Sequence, residues 1–323
     1  MIAGIANTLW LWAAFILSIL FCLALDLGLF HRRPRAVKFR EALAWTVLWF
    51  VLAMLFAGAL AYWRGREPAL QFAAGYVIEL SLSLDNVLVI ALIFVWFRVP
   101  PAFQHRLLFL GILGAMVMRG AMIGAGVALI HEFEWVLYLF GVFLVFAGGK
   151  MLLGRGKMAQ PEKNLALRLA RRLFPVAPNF DGPKFFTRLE GRRALTPLAL
   201  TLVLVETTDL IFALDSVPAV FSVTREAFIV FTSNVFAILG LRSLYFLLAG
   251  ALDYFRYLKT GLSAVLVFIG AKMLIELHGP AAHWFQLEIP TGLSLLVVAA
   301  ILFLSIALSV TAAGREKVQA SKR

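Results

Sequence analysis

The chain has 323 residues, of which 62% are hydrophobic and only 15% charged, far from the roughly half-apolar, quarter-charged balance of soluble domains. Its formal net charge is +12, but the basic residues lie mainly between apolar runs, which reads as membrane topology and excludes a nucleic-acid footprint. A single cysteine, Cys22, inside an apolar run excludes an intrachain disulfide and a thiolate cluster for a soft metal, and reads as a small buried apolar residue.

Apolar runs of about 18 to 25 residues recur along the chain, the length that crosses a hydrocarbon core of roughly 30 Å. Spans are expected near 5–29, 41–63, 71–96, 106–130, 135–153, 196–221, 228–250, 258–277 and 290–311, giving an all-α integral membrane protein of about nine transmembrane helices. The first run has no basic n-region and is followed by His31, Arg32, Arg33 and Arg35 where a cleavage site would need small residues, so it reads as a permanent span. Asp26, near its inner end, is either a cytoplasmic entry ligand or part of a hydrated helix end. The connection 154–195 carries Arg155, Lys157, Lys163, Arg168, Arg171, Arg172, Lys184, Arg188, Arg192 and Arg193 against Glu162, Asp181 and Glu190, and the positive-inside rule makes it cytoplasmic. Alternation then places Arg40, Arg98, Arg106, Arg256, Lys259 and the basic tail on the same side, with the N-terminus outside and the C-terminus inside.

Self-similarity appears across the two halves. ELSLSLDNVLVI from Glu79 lies over DLIFALDSVPAV from Asp209, pairing Asp85 with Asp215; Arg119 in the fourth span matches Arg242 in the seventh; VFAGGKML matches VFIGAKML. Three helices repeated in direct succession must cross in opposite senses, so this is an inverted repeat of two three-helix units, whose substrate is expected near the midplane where the units meet. The expected organisation is helices one and two over 1–70, the first repeat over 71–153, the basic cytoplasmic loop over 154–195, the second repeat over 196–277, and the last helix and tail over 278–323.

Ionisable groups within spans cost about 2.5 to 3.5 kcal/mol at the helix centre and are functional candidates. They are Glu79 and Asp85 in the third span, Glu206, Asp209 and Asp215 in the sixth, and Arg119 and Arg242 near the centres of the fourth and seventh. The bland reading is a set of closed carboxylate–arginine pairs that lock helices together. Five acids against two arginines, however, leave three negative charges in excess if all ionise, which points to a cation; Lys150 and Lys272 lie near helix ends and can snorkel. A divalent ion would neutralise two charges and leave one acid as a candidate proton carrier.

Residues six apart on a helix differ by about 240° in azimuth and nine apart by about 180°. Glu79 and Asp85, or Glu206 and Asp215, therefore share a site only if both helices unwind or kink. Pro218 offers a cause in the sixth span, because it lacks an N–H and frees the carbonyl of Leu214. The donors are all oxygens, from the carboxylates, Asn86, Thr207, Thr208 and Ser216, a set that suits Mn²⁺, Mg²⁺ or Ca²⁺ better than Zn²⁺ or Cu⁺. His31, His105, His131, His278 and His283 lie in or beside loops and read as interfacial residues, and Met116, Met118 and Met122 as packing. No P-loop, HExxH, nucleophile-elbow serine or Gly-rich dinucleotide turn is found, so neither an enzyme nor a cofactor is expected.

The motifs ELSLSLDN and VETTDLIFALDSVPAVF, followed by FTSNVFAILGLRSLYFLLAG from Phe231 to Gly250, resemble those of the TerC family, close to its Alx branch, over nearly the whole chain. The resemblance implies a multi-pass protein of the bacterial inner membrane in the LysE-like transporter group, several of whose members are associated with Mn²⁺ export and others named for tellurite resistance. It carries the metal-linked acids onto Glu79, Asp85, Glu206, Asp209 and Asp215, with Asn86 beside them and Asn234 in the matching segment of the seventh span. Many relatives have Lys directly after the first motif acid where this sequence has Leu80, so ion choice or proton coupling is expected to differ from the Alx type. The expectation is export of a divalent cation, Mn²⁺ first, through a midplane carboxylate site. Its alternatives are an oxyanion or amino-acid exporter using Arg119 and Arg242, and a non-transporting assembly or stress-resistance protein whose loop 154–195 docks a protein partner. Coupling ion and oligomeric state stay open.

Overall fold

The computed structural model describes residues 10–22, 39–153, 164–189, 191–248, 258–276 and 289–320. Asp26, His31, His278 and His283, and the basic residues of 31–38 and 154–163, lie outside the described residues. The elements are α1 (Trp10–Cys22), α2 (Phe39–Arg64), α3 (Arg66–Trp96), α4 (Pro101–Glu132), α5 (Val136–Leu153), α6 (Leu165–Leu173), β1 (Phe186–Leu189), β2 (Arg192–Leu195), α7 (Pro197–Phe221), α8 (Ala227–Leu248), α9 (Leu258–Glu276) and α10 (Thr291–Ala320). Seven of these helices, α2, α3, α4, α5, α7, α8 and the first part of α10, are long and apolar enough to cross a membrane. The described part of α1 and α9 stand at the other two expected spans.

Helix α8 forms the centre of the bundle. From Phe228 to Tyr245 all its residues are buried except Phe231 and Arg242, which are half-buried, as a helix that is apolar all round requires. Around its first half, Phe15 of α1, Phe56 of α2, Phe72 of α3 and Phe228 and Phe236 of α8 pack with ring centroids 5.0 to 6.4 Å apart. Helices α2 and α10 are the peripheral, largely exposed spans, with lipid as their outer partner.

The two repeats pack in a pattern that survives exchanging them. Helix α3 lies on α8 as α4 lies on α7, α3 meets α7, α4 meets α8, and α5 meets α9. Glycines make the α5–α9 crossing close. A Cβ on Gly148 would stand 2.8 Å from the Ser263 carbonyl and 3.0 Å from Leu266 Cβ, and one on Gly270 would stand 2.7 Å from the Gly141 carbonyl and 2.9 Å from Leu144 Cβ. The motif alignment puts Gly148 over Gly270, Ser263 over Gly141 and Leu266 over Leu144, so each contact is the other's image. The pair runs antiparallel, the relation an inverted repeat requires, and small residues let backbones meet as they do between membrane helices.

Two departures from the sequence reading concern local structure. Pro218 does not break α7, which is continuous to Phe221; the proline removes only the donor to the Leu214 carbonyl, and the helix ends three residues later. Helix α3 is unbroken too. The connection 154–195, expected as a plain loop, contains α6 and the antiparallel hairpin β1–β2, with Phe186 opposite Leu195 and Arg188 opposite Arg193. Asn164 caps α6 by accepting from the Leu167 N–H at 3.0 Å. Thr196 both caps α7 and donates to the Lys184 carbonyl at 2.8 Å, tying the hairpin to the span. Gly191, with φ of +79°, makes the turn.

Candidate functional site

Near the middle of the bundle the guanidinium of Arg119 joins three helices. Its Nη1 donates to Glu79 of α3, to Ser216 Oγ of α7 at 3.0 Å and to Asn234 Oδ1 of α8 at 3.2 Å. Its Nε and Nη2 form a fork on Asp209 of α7, at 3.2 and 3.0 Å. Asn234 also donates to the second oxygen of Glu79 at 2.9 Å. Asn86 closes the cluster: with its amide oxygen accepting from Arg119 Nη2 and its nitrogen donating to the Leu82 carbonyl, both at 3.2 Å, both ends are satisfied. The opposite orientation leaves a 3.4 Å contact to Asp209, so the first is the better assignment. Burial is complete at Glu79 and nearly so at Arg119 (1%) and Asp209 (7%).

Glu79 and Asp209 are partners in the sequence repeat, and here they sit on opposite sides of one guanidinium. Asn86 and Ser216, also repeat partners, both bond to it. The pseudo-symmetric halves thus contribute matching ligands to an asymmetric cation, because Arg119 enters the centre while Arg242 is half-buried elsewhere. Held this way, Arg119, Glu79 and Asp209 form the closed, helix-locking cluster that is the bland reading of these charges.

Of the remaining predicted carboxylates, Asp85 and Asp215 stand apart from the centre, and Glu206 meets it only through the charge of Asp209. Asp85, Glu206 and Asp215 are half-buried and make no hydrogen bond or ion pair with a described residue. Unbroken helices keep Asp85 and Asp215 on other azimuths; the charge of Lys259 acts on Asp85. Glu206 rests its carboxylate on Gly114 of α4, where a side chain would displace it. Thr207 and Thr208 turn their hydroxyls back to carbonyls of their own helix, Thr207 to Val203 at 2.8 Å and Thr208 to Leu204 at 2.7 Å. Among the described residues no group of three or more His, Cys, Asp or Glu side chains stands together as a metal site.

One residue of the centre is not among the predicted site residues. Ser83 is fully buried and its hydroxyl has no partner. It follows Glu79 by four residues and precedes Asn86 by three, so all three share one face of α3. That stripe was the available signal. A buried hydroxyl without a bond is costly, and this one stands one turn from Glu79 on the face that meets Arg119.

The sequence model of the family described as "Integral membrane protein TerC family" matches residues 64–317. Among curated proteins, the chain is 53% identical over 300 residues, 93% of this chain and 91% of the relative, to "Uncharacterized membrane protein STKORF319" of Myxococcus xanthus. It is 46% identical over 274 residues, 82% of this chain and 85% of the relative, to a protein of Escherichia coli (strain K12) named "Putative membrane-bound redox modulator Alx". A protein of that name from Photorhabdus laumondii is 43% identical over 310 residues, 93% of this chain and 94% of the relative. No solved structure matches the chain.

Proposed function

The chain belongs to the TerC family of integral membrane proteins, and from that premise we propose that it is a transporter that exports a divalent metal cation, with Mn²⁺ the first candidate. The observation that carries the reading is the charge of the buried centre: two carboxylates, Glu79 and Asp209, share one guanidinium and keep one formal negative charge in excess where ionised groups are expensive. The orphaned Ser83 hydroxyl adds an unused oxygen donor beside it. In this reading Arg119 occupies the place of the cargo in the ion-free, occluded state. Withdrawal of its head group would free four carboxylate oxygens, with the neutral oxygens of Asn86, Asn234, Ser216 and Ser83 around them, a donor set suited to Mn²⁺, Mg²⁺ or Ca²⁺. Asp85 and Glu206 then serve as stations on the basic-loop side of the centre and Asp215 as one on the far side. The positive-inside rule puts the hairpin and the arginine-bearing end of α6 on the cytoplasmic side of a bacterial inner membrane and the N-terminus outside.

The anion-exporter alternative is weakened by the saturation of Arg119, whose Nε, Nη1 and Nη2 are all engaged by protein acceptors. The redox-modulator name belongs to the relatives. With one cysteine this sequence has no intrachain dithiol couple.

The test is Mn²⁺ flux in proteoliposomes at two pH gradients, with Ca²⁺, Mg²⁺ and Zn²⁺ as competitors. Wild type is expected to move Mn²⁺, and Glu79→Gln, Asp209→Asn, Asp85→Asn and Asp215→Asn to fail while remaining folded. A wild type that moves none of these ions overturns the cation reading.

A further inference from the structure

Helix α6 has three distinct faces. Leu167 is buried against Leu195, Ala199 and Leu200 and fixes the helix to the start of α7. Leu165, Leu169 and Leu173, spaced by four, form a stripe that is 73, 55 and 65% exposed. Arg168 and Arg172 lie beside that stripe and Arg171 lies between it and the docked face, by the 100° advance per residue. A strongly amphipathic helix with a leucine face and an arginine flank is the form that lies in a membrane interface.

Two further observations locate it there. Asn164, the N-cap of α6, donates to Thr207 Oγ1 at 3.1 Å, and Thr207 is ten residues into α7, roughly 15 Å along a spanning helix. The leucine stripe therefore runs beside a span at bilayer depth, and the end bearing Arg171 and Arg172 emerges toward the hairpin. On the hairpin, Arg188 and Arg193 stand directly opposite one another, an arrangement that is unfavourable without an anion between or beside them. Among the described residues none of Arg168, Arg171, Arg172, Arg188, Arg192 and Arg193 makes an ion pair.

We propose that α6 and the β1–β2 hairpin form a binding surface for anionic phospholipid, with the leucines of α6 in the acyl region and the arginines on the head groups. Phospholipid is the occupant because the surface offers charge and apolar depth together, and because its attachment to α7 sets it against the bilayer. The proposal is independent of what the protein transports.

The test uses the full chain with Cys22→Ser and Leu169→Cys, labelled with bimane at position 169 and placed in vesicles of phosphatidylcholine alone or with phosphatidylglycerol. Acyl-chain nitroxides are expected to quench the label and aqueous iodide to leave it bright. Spin-labelled phosphatidylglycerol is expected to associate in preference to spin-labelled phosphatidylcholine, and the combined Arg168→Gln, Arg171→Gln and Arg172→Gln variant to lose about tenfold of that preference. Correct folding of the variant is checked by its elution as a monodisperse species. Equal association of the two lipids overturns the proposal, as does displacement of phosphatidylglycerol by inorganic phosphate, which would indicate a free-anion site. Iodide quenching without nitroxide quenching also overturns it and would point to a soluble acidic partner.

Discussion

Replacing Arg119 by methionine removes the cation that holds Glu79 and Asp209 while keeping most of the side-chain volume. At a charge separation of about 4 Å and an effective dielectric of about 20, each carboxylate gains about 4 kcal/mol from the guanidinium. Desolvation of the buried ions offsets much of this, so the net cost of truncating one partner is about 3 to 5 kcal/mol. That cost arises mainly from the two stranded carboxylates, so it should fall when they are neutralised in the same chain. Urea unfolding in mixed micelles, run as a cycle of Arg119→Met, Glu79→Gln with Asp209→Asn, and all three together, is expected to show the triple variant more stable than Arg119→Met alone. Arg119→Met within about 0.5 kcal/mol of wild type, or a triple variant no better than the single, would refute the closed centre.

Gly270→Ala and Gly148→Ala each force a Cβ onto facing backbone at the α5–α9 crossing and should destabilise by about 1 to 3 kcal/mol; Gly149→Ala, with nothing within 4 Å, should be neutral in the same thermal assay. Gly114→Ala displaces the Glu206 carboxylate, a flexible end group, and is expected to reduce Mn²⁺ flux in proteoliposomes with little loss of thermal stability; unchanged flux would remove Glu206 from the path. Hydrogen bonds from Thr187 and Lys184 hold the Asp181 carboxyl below the usual aspartate range. Its contribution to the hairpin is present above that range and lost as pH falls through the lower folded value, that is, below about pH 4. Proteolysis of the hairpin should therefore rise on acidification below that point in wild type and change less in Asp181→Asn.

Span positions and the identity of the central acids were legible because both are written locally: apolar run length fixes a span, and a carboxylate inside one stands out. The matching strings that suggest the repeat were visible for the same reason, and the packing of α3, α4 and α5 against α7, α8 and α9 is compatible with it. What the strings do not encode is azimuth between helices. Glu79, Asp85, Glu206, Asp209 and Asp215 are alike in sequence, yet unbroken α3 and α7 deliver only Glu79 and Asp209 to one point. Arg119 and Arg242 are likewise equivalent by alignment, but a single pair of carboxylates has room for one guanidinium. Ser83 was hidden by its ordinariness, since a serine in a span reads as self-bonded until its surroundings are known. The hairpin escaped notice because four-residue strands rich in arginine carry little β signal.

The glycine crossing of α5 and α9 has a mechanical consequence. Gly141, Gly148, Ser263 and Gly270 bracket the midpoints of both helices, so the closest approach falls at the centre of two levers. If one repeat turns by about 10° about that point, the ends of a 19-residue helix, about 14 Å away at 1.5 Å per residue, move by roughly 2.5 Å while the glycines barely shift. Because the two sides of the crossing are images of each other, a turn in either direction loosens one set of contacts as it tightens its copy. In a transporter of the kind proposed, such a crossing would be a balanced fulcrum between the unit that carries Glu79 and the unit that carries Asp209, favouring neither face of the membrane.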